Sequence, residues 1–368
     1  MLVLIPIVLL AIAFGFLRFD LASYALLTHF TNPQATGPLL RLATHEVTMD
    51  EVTIPTADGP LPARLYLPKG VDHPRGMVAV HGIHHLGMDE PRLVGFVRAT
   101  AGSGLAVLTP QMGTLADYRV DAASIADIGE SAGWLEQRLG TGPVTVAGIS
   151  FAGGLSLLAA TDPKYAAHMR ALVLMGAYDD LARVSRFLAT SQEELPDGRT
   201  IPYAAHDYGA SVFVYAHLNQ FFPAGDLAVA HDALREWLWE EPDKAKPLIE
   251  KLSPASQATM DALLARRIDE VRPQILNAIH TDEVELAALS PRGHLANLRV
   301  PVYILHGAED NVIPPGESLW LAKDLPHGVV RDVLITGAFS HVDPAKGASP
   351  WEELKLVHFI GGVLRVAN

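Results

Sequence analysis

Cysteine is absent from the 368 residues of this chain. Its absence excludes disulfide bonds, a cysteine nucleophile and thiolate metal sites, but it leaves the cellular compartment undecided. Clusters of lysine and arginine are also missing, and the formal net charge at pH 7 is -13. Because such a surface repels a phosphate backbone, we expect no nucleic-acid partner.

Motifs that hold cofactors or metal ions are lacking too. The chain contains neither the glycine-rich dinucleotide motif nor the P-loop of nucleotide-binding proteins. His81, His84 and His85 lie close together in the sequence, but the histidine and carboxylate spacing of a zinc motif does not accompany them. We therefore expect no cofactor and no metal site.

An apolar run opens the chain. Leu2 to Leu17 contains no charged residue, and as a helix it would span about 24 Å, slightly less than a hydrocarbon core of about 30 Å. Arg18 could reach the interface, and residues 21–27 could extend the apolar face. We expect residues 1–30 to anchor the protein in a membrane, on an undetermined side. The alternatives are a cleaved signal peptide, giving a secreted or periplasmic protein, and a helix packed on the body.

Short apolar runs alternate with helical patterns over much of the remaining chain. Two segments of alternating polarity flank the Asp58-Gly59 turn and predict a β-hairpin. Six further runs are typical of buried parallel strands joined by crossover helices. They are residues 77–80, 105–108, 144–147, 171–175, 302–305 and 329–336. The pattern predicts an α/β fold with a mostly parallel sheet flanked by helices.

The alternation stops between Tyr178 and Leu295, where helical patterns occur and no convincing strand is found. This segment is too long to be a loop, so we interpret it as a helical cap inserted over the sheet. The predicted organisation is an N-terminal helix over 1–30, a linker over 31–45, an α/β core over 46–177 and 296–368, and a cap over 178–295.

A serine nucleophile is indicated where one predicted strand runs into a helix. The only literal G-x-S-x-G sequence surrounds Ser131, but helical periodicity continues on both sides of it and no strand precedes it. Ser150 follows the run Val144 to Ala147 and precedes the helical segment 155–160. Small residues around it permit the sharp turn that exposes a nucleophile. We therefore predict Ser150, and not Ser131.

The partners that such a serine needs follow two later strands. Asp310 comes just after the strand 302–305, and His341 follows the last predicted strand. His341 would take the serine proton and Asp310 would orient the imidazole. Asp179 or Asp180, after an earlier strand, is the alternative acid.

The order serine, aspartate, histidine resembles that of the α/β-hydrolase superfamily, in its esterase and lipase-like branch. The resemblance runs from about Glu46 to the C-terminus, apart from the inserted cap. The segment from His306 to Pro314 is similar to the superfamily's H-G-x-x-D-x-x-V/I-P acid loop. The resemblance implies an oxyanion hole formed by backbone N–H groups: that of Phe151, after the nucleophile, and that of Ile83, after His81-Gly82, with His84 as the reserve.

A serine nucleophile selects acyl transfer, and hydrolysis of a small-molecule carboxylic ester through an acyl-enzyme is the expected reaction. An acyltransferase or a peptidase could use the same triad, and a non-catalytic binding protein on this fold is the alternative from another class. A hydrophobic or lipid-like ester is suggested by the N-terminal segment and by cap aromatics that are candidates for lining an acyl pocket. These are Phe213, Tyr215, Phe221, Phe222, Trp237 and Trp239.

Overall fold

A computed structural model of the chain describes residues 4–339 and 349–368. The strands in these residues are β1 (Val47–Thr56), β2 (Gly59–Pro68), β3 (Gly76–Val80), β4 (Ala106–Pro110), β5 (Val144–Ile149), β6 (Met169–Met175), β7 (Gln192–Glu194), β8 (Thr200–Pro202), β9 (Val302–Gly307) and β10 (Val330–Thr336).

The helices are α1 (Leu4–Thr31), α2 (Pro38–Ala43), α3 (Pro91–Gly102), α4 (Gly113–Ala116), α5 (Ala122–Leu139), α6 (Phe151–Thr161), α7 (Pro163–Ala166), α8 (Leu181–Thr190), α9 (Gly209–Ala216), α10 (Leu227–Leu238), α11 (Pro242–Ile249), α12 (Pro254–Leu264), α13 (Ile268–Thr281), α14 (Glu283–Ala288), α15 (Gly316–Asp324) and α16 (Pro350–Ala367). Short 3-10 turns lie at Gly87–Asp89, Leu218–Gln220 and Leu295–Asn297.

Eight strands form one sheet in the order β1-β2-β4-β3-β5-β6-β9-β10. The hairpin β1–β2 and the pair β2–β4 are antiparallel, and the remaining neighbours are parallel. The hairpin turns where expected, with Thr56 opposite Gly59. The prediction of a mostly parallel α/β sheet flanked by helices is confirmed, and its six apolar runs correspond to β3, β4, β5, β6, β9 and β10.

Helices cover the sheet on both faces because neighbouring residues of a strand point to opposite sides. In β3, Val78 and Val80 belong to an apolar cluster shared with α5 and α6. Met77 and Ala79, the residues between them, belong to a second cluster shared with α1, α3 and α16. The central strands β3, β4 and β5 are buried along their whole length, as expected for strands covered on both sides, whereas the edge strand β10 carries the exposed residues Arg331 and Asp332.

Between β6 and β9 the chain forms the helices α8 to α14 and one short hairpin, β7–β8. The hairpin was not expected from the sequence, because strands of three residues are too short to show an alternating pattern. Its middle residue Glu193 is buried, and the carboxylate accepts a hydrogen bond from the Gly316 N–H at 2.6 Å. The hairpin thus holds the inserted segment against the start of α15.

The prediction of a membrane anchor over residues 1–30, and of a membrane-anchored location, is wrong. None of the helices in residues 4–339 and 349–368 combines the length and the apolar character that crossing a bilayer requires. Instead, α1 packs against α3 and α16. Leu26 is buried in the second apolar cluster, and Asp20 lies 3.6 Å from the His358 ring. The residues of α1 after Leu17 thus pack on the protein itself.

A buried ion-pair network ties the start of the inserted segment to the core. Arg183 of α8 donates two hydrogen bonds to the Glu317 carboxylate, at 2.5 and 2.9 Å, and one to Asp179 at 2.9 Å. The side chains of all three residues are at most 3% exposed. Glu317 also accepts the backbone N–H groups of Asp179 and Asp180. We call Arg183, Asp179 and Glu317 the Arg183 network.

Replacing the cation of this network should destabilise the fold strongly. Arg183→Met leaves the buried Glu317 carboxylate and the buried carboxyl group of Asp179 without their cationic partner, and we expect it to lower the free energy of unfolding by about 3–5 kcal/mol. Arg186→Met is the matched control on the same helix, since Arg186 pairs with Glu194 at an exposed site and should cost less than about 1 kcal/mol. Urea denaturation measures both, and equal losses would contradict the assignment.

Candidate active site

Ser150 occupies the sharp turn between β5 and α6. Its backbone has φ 56° and ψ -129°, a conformation that residues other than glycine rarely adopt. Holding it there costs on the order of 1–3 kcal/mol, and such strain persists only where the surroundings enforce it. The Ser150 N–H donates to the Met175 carbonyl at 2.7 Å, which ties the turn to the end of β6.

Two glycines permit this turn because side chains would not fit. A Cβ on Gly148 would lie 2.7 Å from the Cα of Gly153, and one on Gly153 would lie 2.5 Å from the Cβ of Ala177. The first turn of α6 therefore packs directly against the end of β5. The sequence pattern of small residues around Ser150 reflects this contact.

Ser131 is buried within α5, as the sequence analysis expected of a residue in a crossover helix. The glycines of its motif have packing roles. A Cβ on Gly129 would clash with the Tyr165 ring, and one on Gly133 would lie 3.2 Å from the His168 ring. The literal motif is thus explained by helix packing.

The turn after β3 lies directly against Ser150. A Cβ on Gly82 would be 2.9 Å from the Ser150 Cβ. The backbone N–H groups of Ile83 and Phe151, predicted to form the oxyanion hole, donate no hydrogen bond to any described residue. Both belong to segments that adjoin Ser150.

His81 fixes the conformation of this turn. It is 3% exposed; its Nε2 accepts the Met112 N–H at 3.0 Å, and its Nδ1 lies 2.7 Å from the Gly82 carbonyl oxygen. Because Nε2 accepts, Nδ1 carries the proton and donates to that oxygen. Since C=O and N–H point in opposite directions across a trans peptide, the Ile83 N–H is turned away from His81. Burial lowers the pKa of His81 to about 4, so the ring is neutral.

Asp310 lies in the loop after β9 and is fully buried. Its Oδ1 accepts the N–H groups of Val312 at 2.9 Å and Ile313 at 3.1 Å, and its Oδ2 lies 3.5 Å from His306 Nε2. His306 is held in turn by Ser318 at 2.6 Å. The acid-loop pattern of the sequence therefore forms a rigid, hydrogen-bonded loop.

Ser150 and Asp310 project from the same edge of the sheet. Their strands, β5 and β9, are separated by β6, which corresponds to about 10 Å between strand axes. The predicted base, His341, lies outside the described residues. The last strand before it, β10, pairs with β9 and ends at Thr336, so the chain leaves β10 at this same edge.

A cavity of about 680 Å³ opens above Ser150. Ser150, Ile83 and His81 line it on the side of the sheet, and His206 and Trp237 line it on the side of the inserted segment. Of the six cap aromatics considered, Trp237 is the one that contributes to this wall. Four others are buried within the inserted segment: Phe213, Tyr215, Phe221 and Phe222. Trp239 stacks on His85 with ring centroids 5.8 Å apart.

Several residues of the cavity carried no recognisable sequence signal. Phe30 and Phe96 line it from α1 and α3. Tyr118 donates a hydrogen bond to the Leu238 carbonyl at 2.7 Å and so ties the end of α10 to the core. His206 is positioned by its backbone N–H, which donates to the Asn311 carbonyl at 2.7 Å. Only tertiary packing brings these residues together.

A family model described as the alpha/beta hydrolase fold matches residues 95–343 of the chain. The match covers more than half of the sequence, and the protein therefore belongs to the α/β hydrolase family. No curated protein matches the sequence.

Three solved structures are similar to this chain over most of its length. An acylaminoacyl peptidase of Pyrococcus horikoshii has 15% identity and a TM-score of 0.48, covering 86% of this chain and 41% of its own. This chain thus spans 41% of the peptidase's length. An esterase of Pyrobaculum calidifontis has 18% identity and a TM-score of 0.46, with coverages of 95% and 90%. The esterase domain of a Rhodothermus marinus protein has 16% identity and a TM-score of 0.42, with coverages of 86% and 96%.

Acidification should destabilise the folded protein through His81. The pKa of His81 is about 4 in the folded state and about 6.5 in an unfolded chain. The unfolded state therefore binds the extra proton first, and stability is lost as the pH falls from about 6.5 to about 4, by about 3 kcal/mol in total.

Urea denaturation of the wild type and of His81→Gln across this pH range measures the effect. The variant should lose less stability on acidification, whereas His73→Gln, at an exposed histidine, should behave like the wild type. Identical pH dependence in all three proteins would contradict the role given to His81.

Proposed function

We propose that the protein is a serine hydrolase that cleaves carboxylic esters through an acyl-enzyme. Ser150 would be the nucleophile, His341 the general base and Asp310 the acid that orients it. The observation that carries this proposal is the strained Ser150 turn, which faces a cavity and abuts the Gly82 turn. Strain of this kind persists where it serves a site, and a nucleophile turn between strand and helix is such a place.

The reaction proceeds in two halves. Ser150 Oγ attacks the ester carbonyl carbon while His341 takes the hydroxyl proton, and the carbonyl oxygen becomes negative. The N–H groups of Phe151 and Ile83 stabilise this oxygen, each contributing about 2.7–4 kcal/mol. Collapse of the intermediate expels the alcohol, which receives the proton from His341. Water then attacks the acyl-enzyme, again giving its proton to His341, and the acid leaves as Ser150 regains its hydrogen.

Asp310 is better suited than Asp179 to orient the base. Asp310 accepts two backbone N–H groups in a loop at the edge from which Ser150 projects. Asp179 is bound by Arg183, and burial raises its pKa to about 7, although Arg183 opposes this rise. The acid of a triad must stay ionised beside an imidazolium, and Asp179 is therefore the poorer candidate for this role. Asp180 is occupied as the N-cap of α8.

The substrate is expected to be a small ester with an apolar part. A cavity of about 680 Å³ is within the usual range for small-molecule sites, and its lining includes Phe30, Leu93 and Trp237. Arg92, which also lines it, forms a 2.7 Å ion pair with Glu90. Because this cation already has a carboxylate partner, an anionic substrate is not favoured.

Fluorophosphonate labelling tests the nucleophile. Ser150 should be labelled, and Ser150→Ala should abolish labelling and lower ester hydrolysis by about a millionfold. Ser131→Ala is the matched control and should retain both. Peptide mapping and rates on p-nitrophenyl esters provide the readouts. Labelling at Ser131 would overturn the choice of nucleophile, and a folded protein without any labelling would favour the binding-protein alternative.

Asp310→Asn tests the acid. The amide cannot hold the imidazole in the required tautomer or balance its charge, and kcat should fall by about 10⁴-fold. The corresponding change at the alternative position, Asp179→Asn, should leave kcat within about tenfold, provided the variant remains folded by circular dichroism. A larger loss of kcat from Asp179→Asn than from Asp310→Asn would reverse the assignment.

A further inference from the structure

The N-terminal helix contributes to the wall of the Ser150 cavity. Phe30, in the last turn of α1, lines the cavity together with Leu93 and Phe96 of α3. Phe30 lies well before residue 95, where the match to the family model begins. The N-terminal helix, which lies outside the matched residues, therefore supplies part of the wall.

The Phe30 side chain is held in place by its neighbours. Its ring meets the edge of Phe96 with centroids 5.8 Å apart and planes at 72°, a favourable arrangement for two aromatic rings. A Cβ on Gly95 would lie 3.6 Å from the Phe30 ring, so α1 and α3 are in direct contact at this point. Leu26, one turn earlier, is 3% exposed and fixes the helix on the second apolar cluster. The ring is thus a rigid part of the wall.

The two apolar parts of the lining come from different segments. Trp237 and Leu238 stand on the side of the inserted segment, whereas Phe30 and Phe96 stand on the side of α1 and α3. Phe30 is half-buried and is one of the residues that line the cavity. Shortening this side chain therefore adds volume to the cavity itself.

We infer that Phe30 sets the length of the apolar chain that the cavity accepts. The inference rests on the proposed ester hydrolysis, in which one apolar arm of the ester would lie against Phe30 and Phe96. A pocket wall discriminates between chains that differ by one methylene group by about tenfold or more. Removing the ring should relax this limit, and enlarging it should tighten the limit.

The test compares Phe30→Ala and Phe30→Trp with the wild type on two ester series. One series varies the acyl chain of p-nitrophenyl esters from acetate to dodecanoate, and the other varies the alcohol of acetate esters over the same range. Phe30→Ala should raise kcat/KM for long chains relative to short ones by about tenfold or more in one series. Phe30→Trp should shift the preference towards shorter chains.

Phe19→Ala is the matched control. Phe19 lies on the same helix, is half-buried and packs against the same apolar cluster, but it does not line the cavity. Phe19→Ala should leave the chain-length preference unchanged. This result would show that the effect of Phe30→Ala comes from the cavity wall and not from a general loosening of α1. Unchanged preferences in both Phe30 variants, or equal shifts in Phe19→Ala and Phe30→Ala, would overturn the inference. If Phe30→Ala does not fold, Phe30→Leu takes its place.

A readout without catalysis keeps this inference separate from the proposed function. Calorimetric titration with straight-chain alcohols from butanol to dodecanol measures which chain length the cavity binds most tightly. If the wild type hydrolyses no ester, the proposed function fails, and the titration alone decides the role of Phe30. A longer preferred alcohol in Phe30→Ala than in the wild type would support that role, and an unchanged preference would refute it.

Discussion

The site depends on one tight junction, where β5 turns into α6 at Ser150. Ser150 adopts a left-handed φ of 56° at a cost on the order of 1–3 kcal/mol. Burial of α6 offsets this cost, since Leu155 and Leu157 are fully removed from solvent and each such side chain contributes about 1.5–3 kcal/mol. The close approach of Gly148 to Gly153 allows both at once. The packing of α6 in the core thus maintains the strained backbone conformation of Ser150.

The polar groups on both sides of this junction are held by hydrogen bonds within the protein. His81 is kept neutral by burial, which lowers its pKa to about 4, and serves as a donor to the Gly82 carbonyl. Asp310 receives backbone N–H groups. Each group has partners before any substrate arrives, so little reorganisation is needed when charge develops. The proposed serine nucleophile requires preorganisation of this type.

The sequence predicts those strands, turns and loops whose conformation depends on residues close together in the chain. Strand runs such as 144–147, the turn at Ser150 and the acid loop around Asp310 carry short-range patterns, and the sheet and the family they predict are confirmed. The oxyanion and triad assignments stay predictions. The prediction of a membrane anchor was wrong because a run of apolar residues does not by itself distinguish a helix that packs on a protein from one that enters a bilayer. The role of His81 and the contact of Phe30 with the cavity arise from tertiary packing, which leaves no local pattern.

The residues that line the cavity come from two kinds of segment. Ser150 and Asp310, two of the groups proposed for the chemistry, follow the carboxyl ends of β5 and β9 in the same sheet. The apolar walls of the cavity come from α1 and α3 on one side and from the inserted segment on the other. Tyr118 and the His85–Trp239 stack join that segment to the core, so its wall is fixed relative to Ser150. A change in α1 or α10 can therefore alter which chain fits while the Ser150 turn keeps its geometry, because neither helix contributes to that turn.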